Sequence, residues 1–486
     1  MRLWTRINRW HPAAQVATGV GVVLVIALVV VAIRAVLFFN VNDPETYDDI
    51  VEHYKYGSIG SEAEGGIPYW IWRVLPDVFP EYLPDRPGEG YERFGFVYED
   101  GHDRPIGTSI RDAPIPLIAV NCAACHTGTV RTSESVEPMV VLGMPAHQLD
   151  FLAYQRFFID AAQDERFEGG TIVEAIKKVN PDFSRFDELL YRYYIIPQLE
   201  SEVLERYEDF RFLDDRPDWG PGRVDTFSPY KVHFGFDLTE DQTIGTADLP
   251  TLWNQGVREG MSLHWDGNND SLAERNISAA LGAGANEGSL DHDSLQRVAA
   301  WIRDFPPRAF PGPIDQTLVE AGRAVYQREC AVCHALDGER VGRVEPLEAI
   351  GTDRSRADSF NSILAERMNT YGEGYPWQFS QFRDTDGYAN APLDGVWLRA
   401  PYLHNGSVPT LRDLLRPASE RPRVFFRGYD VYDLQDLGFI SSGPEAERVG
   451  FRFDTSEVGN GNGGHEYGTT LTETQIDALI EYLKTQ

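Results

Sequence analysis

Four cysteines occur in 486 residues, and all four fall in two copies of one pattern. Cys122 and Cys125 are followed directly by His126 in "VNCAACHTG", and Cys330 and Cys333 by His334 in "ECAVCHALD". Two thiols at this spacing can each bond covalently to a haem vinyl group, and the adjacent histidine is then carried under the ring as an iron ligand. A zinc site wants four ligands, and a redox dithiol has no need of the histidine. Used twice, with no cysteine left over, the pattern predicts two covalently bound haem c groups. Their attachment residues are Cys122, Cys125, Cys330 and Cys333, and their proximal ligands are His126 and His334.

What each iron does depends on its sixth position. A second strong ligand makes an electron-transfer haem, whereas an open position binds oxygen or peroxide. After the second motif the chain offers Met368, His404 and His465 as residues that could close that haem.

Helices must carry these residues. "DSLQRVAAWIRDF" places Leu295, Val298, Ala299, Ile302 and Phe305 on one face, and Pro306-Pro307 stop it. "TETQIDALIEYLKTQ" begins with Thr472 and Gln475 at capping-box spacing and continues with the stripe Ile476, Leu479, Ile480 and Leu483. A C-x-x-C-H and a closing helix in each half read as two similar modules, joined by the proline-rich "PPRAFPGPID". The first carries an insert at about 131–240 with helical patterns such as "TIVEAIKKV", and "GNGNGGHEYGTT" near the end reads as loop.

A formal charge of −31 repels phosphates, which argues against nucleic acid as a partner. The uncharged stretch from Val16 to Ile33 is long enough for a transmembrane helix. Arg2, Arg6 and Arg9 precede it, whereas Asp43, Glu45, Asp48 and Asp49 follow. The positive-inside rule then keeps the N-terminus cytoplasmic. The predicted placement is a single-pass protein of the inner membrane with its haem domains on the periplasmic side. The expected fold is mainly α: an anchor over 1–40, a first haem c domain with its insert over 41–312, and a second over 313–486.

Three features together resemble the bacterial di-haem cytochrome c peroxidase superfamily: "DLPTLWNQGVREGMSLHWDG", "APYLHNGSVPTL" and the order of the two haem motifs. "LHWDGNNDSLAERN", the insert and "GHEYGTTLTE" are more similar to its rubber-oxygenase-like branch. The resemblance implies that Trp265 lies between the haems and relays electrons, and Glu287 is the nearest match to a catalytic glutamate. Where the peroxidases have a distal histidine, this chain reads "QTIGTA", which implies a first haem open to a small oxidant, with His147 and His233 as the remaining substitutes. The peroxidases' methionine on the second haem falls here at Ala418; the rubber-oxygenase-like branch implies His465 instead, opposite His334. Asp248 and Arg399 stand where the peroxidases bind calcium, which suggests an ion pair in place of the metal.

The expected function is a haem-dependent oxidoreductase, peroxidase- or dioxygenase-like, in which the first haem meets peroxide or dioxygen and the second transfers electrons. The alternative is a di-haem electron carrier without substrate chemistry. Expected partners are a redox protein or a small-molecule oxidant, together with the membrane through the N-terminal helix.

Overall fold

The computed structural model describes residues 43–486. Val16–Ile33 lies outside them, and no helix of the described residues is long and apolar enough to cross a membrane. Even the uninterrupted helical run over 185–210 carries Arg185, Asp187, Glu188, Arg192, Glu200, Glu202, Glu205 and Arg206, too many charges for hydrocarbon. The expected anchor and the inner-membrane placement built on it therefore find no support.

The mainly α expectation also needs correction. Helix accounts for 41% and strand for 12%, the strands lying in small antiparallel sheets. Strands of two to five residues between turns are too short to show a period, which is why the sequence did not announce them.

The first haem motif sits among strands. β1 (Asp43–Pro44), β2 (Ile67–Pro68), β3 (Thr108–Asp112) and β4 (Leu117–Val120) form a sheet in the order β1-β3-β4-β2. β4 is followed by Asn121, whose side chain accepts from the Ala123 backbone N–H at 2.9 Å and caps the helical turn α1 (Cys122–Cys125). β5 (Thr127–Val130) leaves directly after His126 and pairs with β6 (Met139–Leu142). The insert adds α2 (Phe151–Gln163) and α3 (Gly169–Val179), whose Ile172, Val173 and Ile176 join one core with Trp72, Phe79 and Phe157.

The second motif is held differently. α4 (Gln316–Glu329) runs straight into Cys330, and α5 (Ala331–His334) completes the motif. α4 packs on α6 (Glu473–Leu483), which starts with the predicted Thr472–Gln475 capping box and buries Ile476, Leu479, Ile480 and Leu483. The two backbones meet at Gly322, where an added Cβ would stand 1.9 Å from the Ala478 carbonyl oxygen. The helix predicted before the proline connector is present as His292–Arg303, with Leu295, Val298 and Ile302 buried.

Candidate functional site

A cavity of about 260 Å³ opens against the first motif. Cys122, Cys125 and His126 line one side of it, and apolar groups such as Phe227, Leu252, Leu295, Ile302 and Phe360 line much of the rest. His126 Nδ1–H donates to the Pro250 carbonyl at 2.8 Å, which fixes the ring and leaves Nε2 as the free nitrogen. Burial first, and then the charge of Arg275, push this imidazole down to about 3, so it stays neutral and able to ligate. Burial pushes the Cys122 and Cys125 thiols up, to about 11 and about 12.

Arg275, which also lines the cavity, has no carboxylate partner among the described residues. Burial, and then the neighbouring Arg258, bring it down to about 10. An apolar slot with two free thiols, a neutral imidazole and an uncompensated guanidinium fits haem c, whose propionates are anions. The closed metal-site alternative does not assemble: among the described residues no three His, Cys, Asp or Glu side chains gather to hold an ion.

Trp265 lines the same cavity and is tied on two sides. Its Nε1–H donates to the Asp248 carbonyl at 2.7 Å, two residues before the Pro250 carbonyl that orients His126. Its own carbonyl accepts from the Ala389 N–H at 2.8 Å, and Ala389 lies two residues before the carbonyl that holds His334.

At the second motif, His334 Nδ1–H donates to the Ala391 carbonyl at 2.7 Å. The ring of His465 stands 6.2 Å from that of His334, centre to centre, at 44°. Two imidazoles on one metal ion, with bonds of roughly 2 Å each, have centres about 6 Å apart, so the spacing fits an iron between them. The buried Nδ1 of His465 has no hydrogen-bond partner, and burial followed by the nearby His334 brings the ring down to about 4. Its loop is fixed by Arg421, which donates to the carbonyls of Asn462 at 2.6 Å, Gly464 at 2.8 Å and His465 at 3.4 Å. Gly464, at φ 71°, lies where a Cβ would fall 2.2 Å from the Gly351 carbonyl carbon, which accounts for a glycine there.

The other residues singled out from sequence are elsewhere. Met368 is buried on the wall of the first cavity, and His404 is stacked on Tyr388 at 3.9 Å. His147 is stacked on Phe439 at 3.5 Å, and His233 on Tyr371 at 4.8 Å. Glu287 occupies a half-buried turn close to Tyr371 and is not among the residues lining the cavity.

The expected Asp248–Arg399 ion pair is not formed. Arg399 pairs with Asp394 at 2.9 Å, while Asp248 is paired with Arg427, both fully buried. Arg427 arrives from the strand Val424–Arg427 and also donates to the carbonyls of Pro221 at 3.1 Å and Gly406 at 2.7 Å. Its guanidinium thus gathers one carboxylate and two carbonyl oxygens, the carboxylate being that of Asp248, whose backbone carbonyl accepts from Trp265.

Sequence reasoning overlooked His264 and Arg275. Both stand in the quoted "LHWDGNNDSLAER", and a histidine adjoining the tryptophan of interest was the available signal.

A family model described as RoxA-like, cytochrome c-like matches residues 387–426, from the strand that hydrogen-bonds Trp265 to the strand that carries Arg427. The chain is 31% identical over 286 residues to the uncharacterized protein y4iM of Sinorhizobium fredii, covering 49% of this chain and 64% of that one. It is 26% identical over 519 residues to the uncharacterized protein y4iJ of the same organism, covering 81% of this chain and 84% of that one. The match to the first relative thus spans a little under two thirds of its length. The family match relates the chain to RoxA-like cytochromes c, which implies covalently bound haem c and an oxidoreductase kind of function.

Proposed function

We propose that this chain is a di-haem c oxidoreductase of the di-haem peroxidase superfamily, rubber-oxygenase-like branch. One haem would be held by Cys122, Cys125 and His126 within residues 41–312, and the other by Cys330, Cys333, His334 and His465 within 313–486. When bound, haem supplies the redox chemistry with peroxide or dioxygen. The chain's residues do the rest. Pro250 and Ala391 orient the proximal imidazoles, Arg275 receives negative charge at the first site, and His465 closes the second. The apolar wall limits water around the first.

The observation that carries this reading is the double tether of Trp265. One hydrogen bond runs toward the carbonyl that holds His126, the other toward the carbonyl that holds His334. An indole so placed couples an open reactive site to a closed one that exchanges electrons with a redox partner. Glu287, set on its turn near Tyr371, has no support in this geometry as a catalytic group.

The test is spectroscopic. The ferric protein is expected to show a high-spin iron that responds to cyanide or peroxide beside a low-spin iron that does not, and Trp265→Phe is expected to slow electron transfer between them by an order of magnitude or more. Two low-spin irons inert to both reagents would instead identify a plain electron carrier.

A further inference from the structure

We infer that His264 is the proton acceptor of the first haem site, an inference that rests on the function proposed above. His264 and His126 line one cavity. The Nδ1 of His264 is bonded to Asn268 Oδ1 at 2.5 Å. A carboxamide oxygen only accepts, so Nδ1 carries the hydrogen and Nε2 keeps a bare lone pair. The tautomer is set by a neighbour four residues along the same loop.

The backbone supports a built position. His264 has φ 63°, and the other histidine in this left-handed region, among the described residues, is His465 with φ 49°. For residues other than glycine this conformation is uncommon and costs free energy, so it persists only where surrounding contacts hold it. The Leu263 N–H donates to the Asn269 carbonyl at 2.7 Å, which closes the loop, and the adjoining Trp265 is held through both its indole N–H and its own carbonyl. The left-handed turn therefore directs two consecutive side chains, His264 and Trp265, to one cavity. Phe382, near-parallel to the His264 ring at 6.3 Å, backs it.

Burial first, and then the charge of Arg275, bias both imidazoles toward the neutral form. His264 then acts on a weak acid entering the site. Hydrogen peroxide or hydrogen cyanide must give up one proton for its conjugate base to bind the iron. His264 Nε2 takes that proton, one N–H bond forming as one O–H or C–H bond breaks, and no electrons change hands.

Cyanide binding to the holoprotein tests this without turnover. His264→Ala is expected to slow cyanide association with the first iron roughly 100-fold, as loss of a positioned acid–base group does. Added imidazole should restore part of the rate. Nitric oxide, which brings no proton, should bind the ferrous site at an unchanged rate. His264→Gln keeps the size of the side chain but has no basic nitrogen, so it should be equally slow with cyanide and serves if the alanine variant does not fold. Cyanide association equally fast with and without His264, or equal slowing of cyanide and nitric oxide, would overturn the inference alone. A first iron that is low-spin and takes up no cyanide in the unaltered protein would overturn the functional reading with it.

Discussion

The two C-x-x-C-H motifs share a spacing and a way of holding the proximal ring, yet their surroundings are opposites. At the second, a histidine from a loop more than a hundred residues downstream faces His334 at 6.2 Å, and an arginine pins that loop by its carbonyls. At the first, the corresponding space is a cavity whose further histidine has its Nδ1 bonded to Asn268. On the proposed reading the motif determines attachment and little else, and what each iron could do would be decided by residues far away in sequence: a glycine-rich loop for one, the turn before Asn268 for the other.

Removing His465 should break the contrast most completely. In His465→Ala the second iron is expected to lose its low-spin signature and to begin binding cyanide, so that two reactive irons replace one. Met368→Leu is the matched control. Met368 lies on the first cavity's wall, so the second iron's spectrum should not move. A low-spin second iron surviving in His465→Ala would remove the bis-histidine pairing that the 6.2 Å spacing suggests.

The sequence made one of these regions far more readable than the other. Attachment residues follow from covalent chemistry that needs neighbours in the chain, so Cys122, Cys125, His126 and their counterparts stand out without a fold. The closing helix was equally plain, since its capping box and its stripe are local. Partners across the fold were not. Arg399 was the expected companion of Asp248, but Arg427 reaches it from a short strand that no periodicity marks. His264 was hidden for a different reason: only the turn at φ 63° brings it and Trp265 to the same cavity. The mainly α expectation erred in the same way, because helices announce themselves over three turns and two-residue strands do not.

The Asp248–Arg427 pair tests whether the two regions share one base. Its carboxylate and guanidinium side chains are 4% and 1% exposed, so neither charge has water to fall back on. Arg427→Met should cost about 3 to 5 kcal/mol, because it strands a buried carboxylate and two carbonyl oxygens. Chemical denaturation followed by both irons' spectra is the measurement. A shared base predicts that the two spectra are lost together; separate losses would make the two sites independent units. Arg399→Met, which leaves Asp248 paired, should be the milder change.

Acid should loosen that base by a smaller amount. His404 is buried against Tyr388, its backbone carbonyl accepts from the Asp248 N–H at 2.8 Å, and the buried His147 lies near Arg427. Burial holds both imidazoles well below their ordinary range; Arg356 and Arg223 add to this at His404, and Arg427 and Arg86 at His147. The unfolded chain takes up these protons near pH 6.5 and the folded chain does not, so their contribution is complete above pH 6.5 and is lost as pH falls. From pH 7 to pH 6 each should remove about 0.7 kcal/mol of stability. His404→Phe, which keeps a ring against Tyr388, should remove about 0.7 kcal/mol of the loss seen between pH 7 and pH 6. Since His404 belongs to this base and is neither iron's proposed ligand, the substitution should change the pH dependence of the denaturation midpoint equally in both haem spectra. A midpoint that moved for one iron alone would place these histidines within one site and leave the other standing on its own packing.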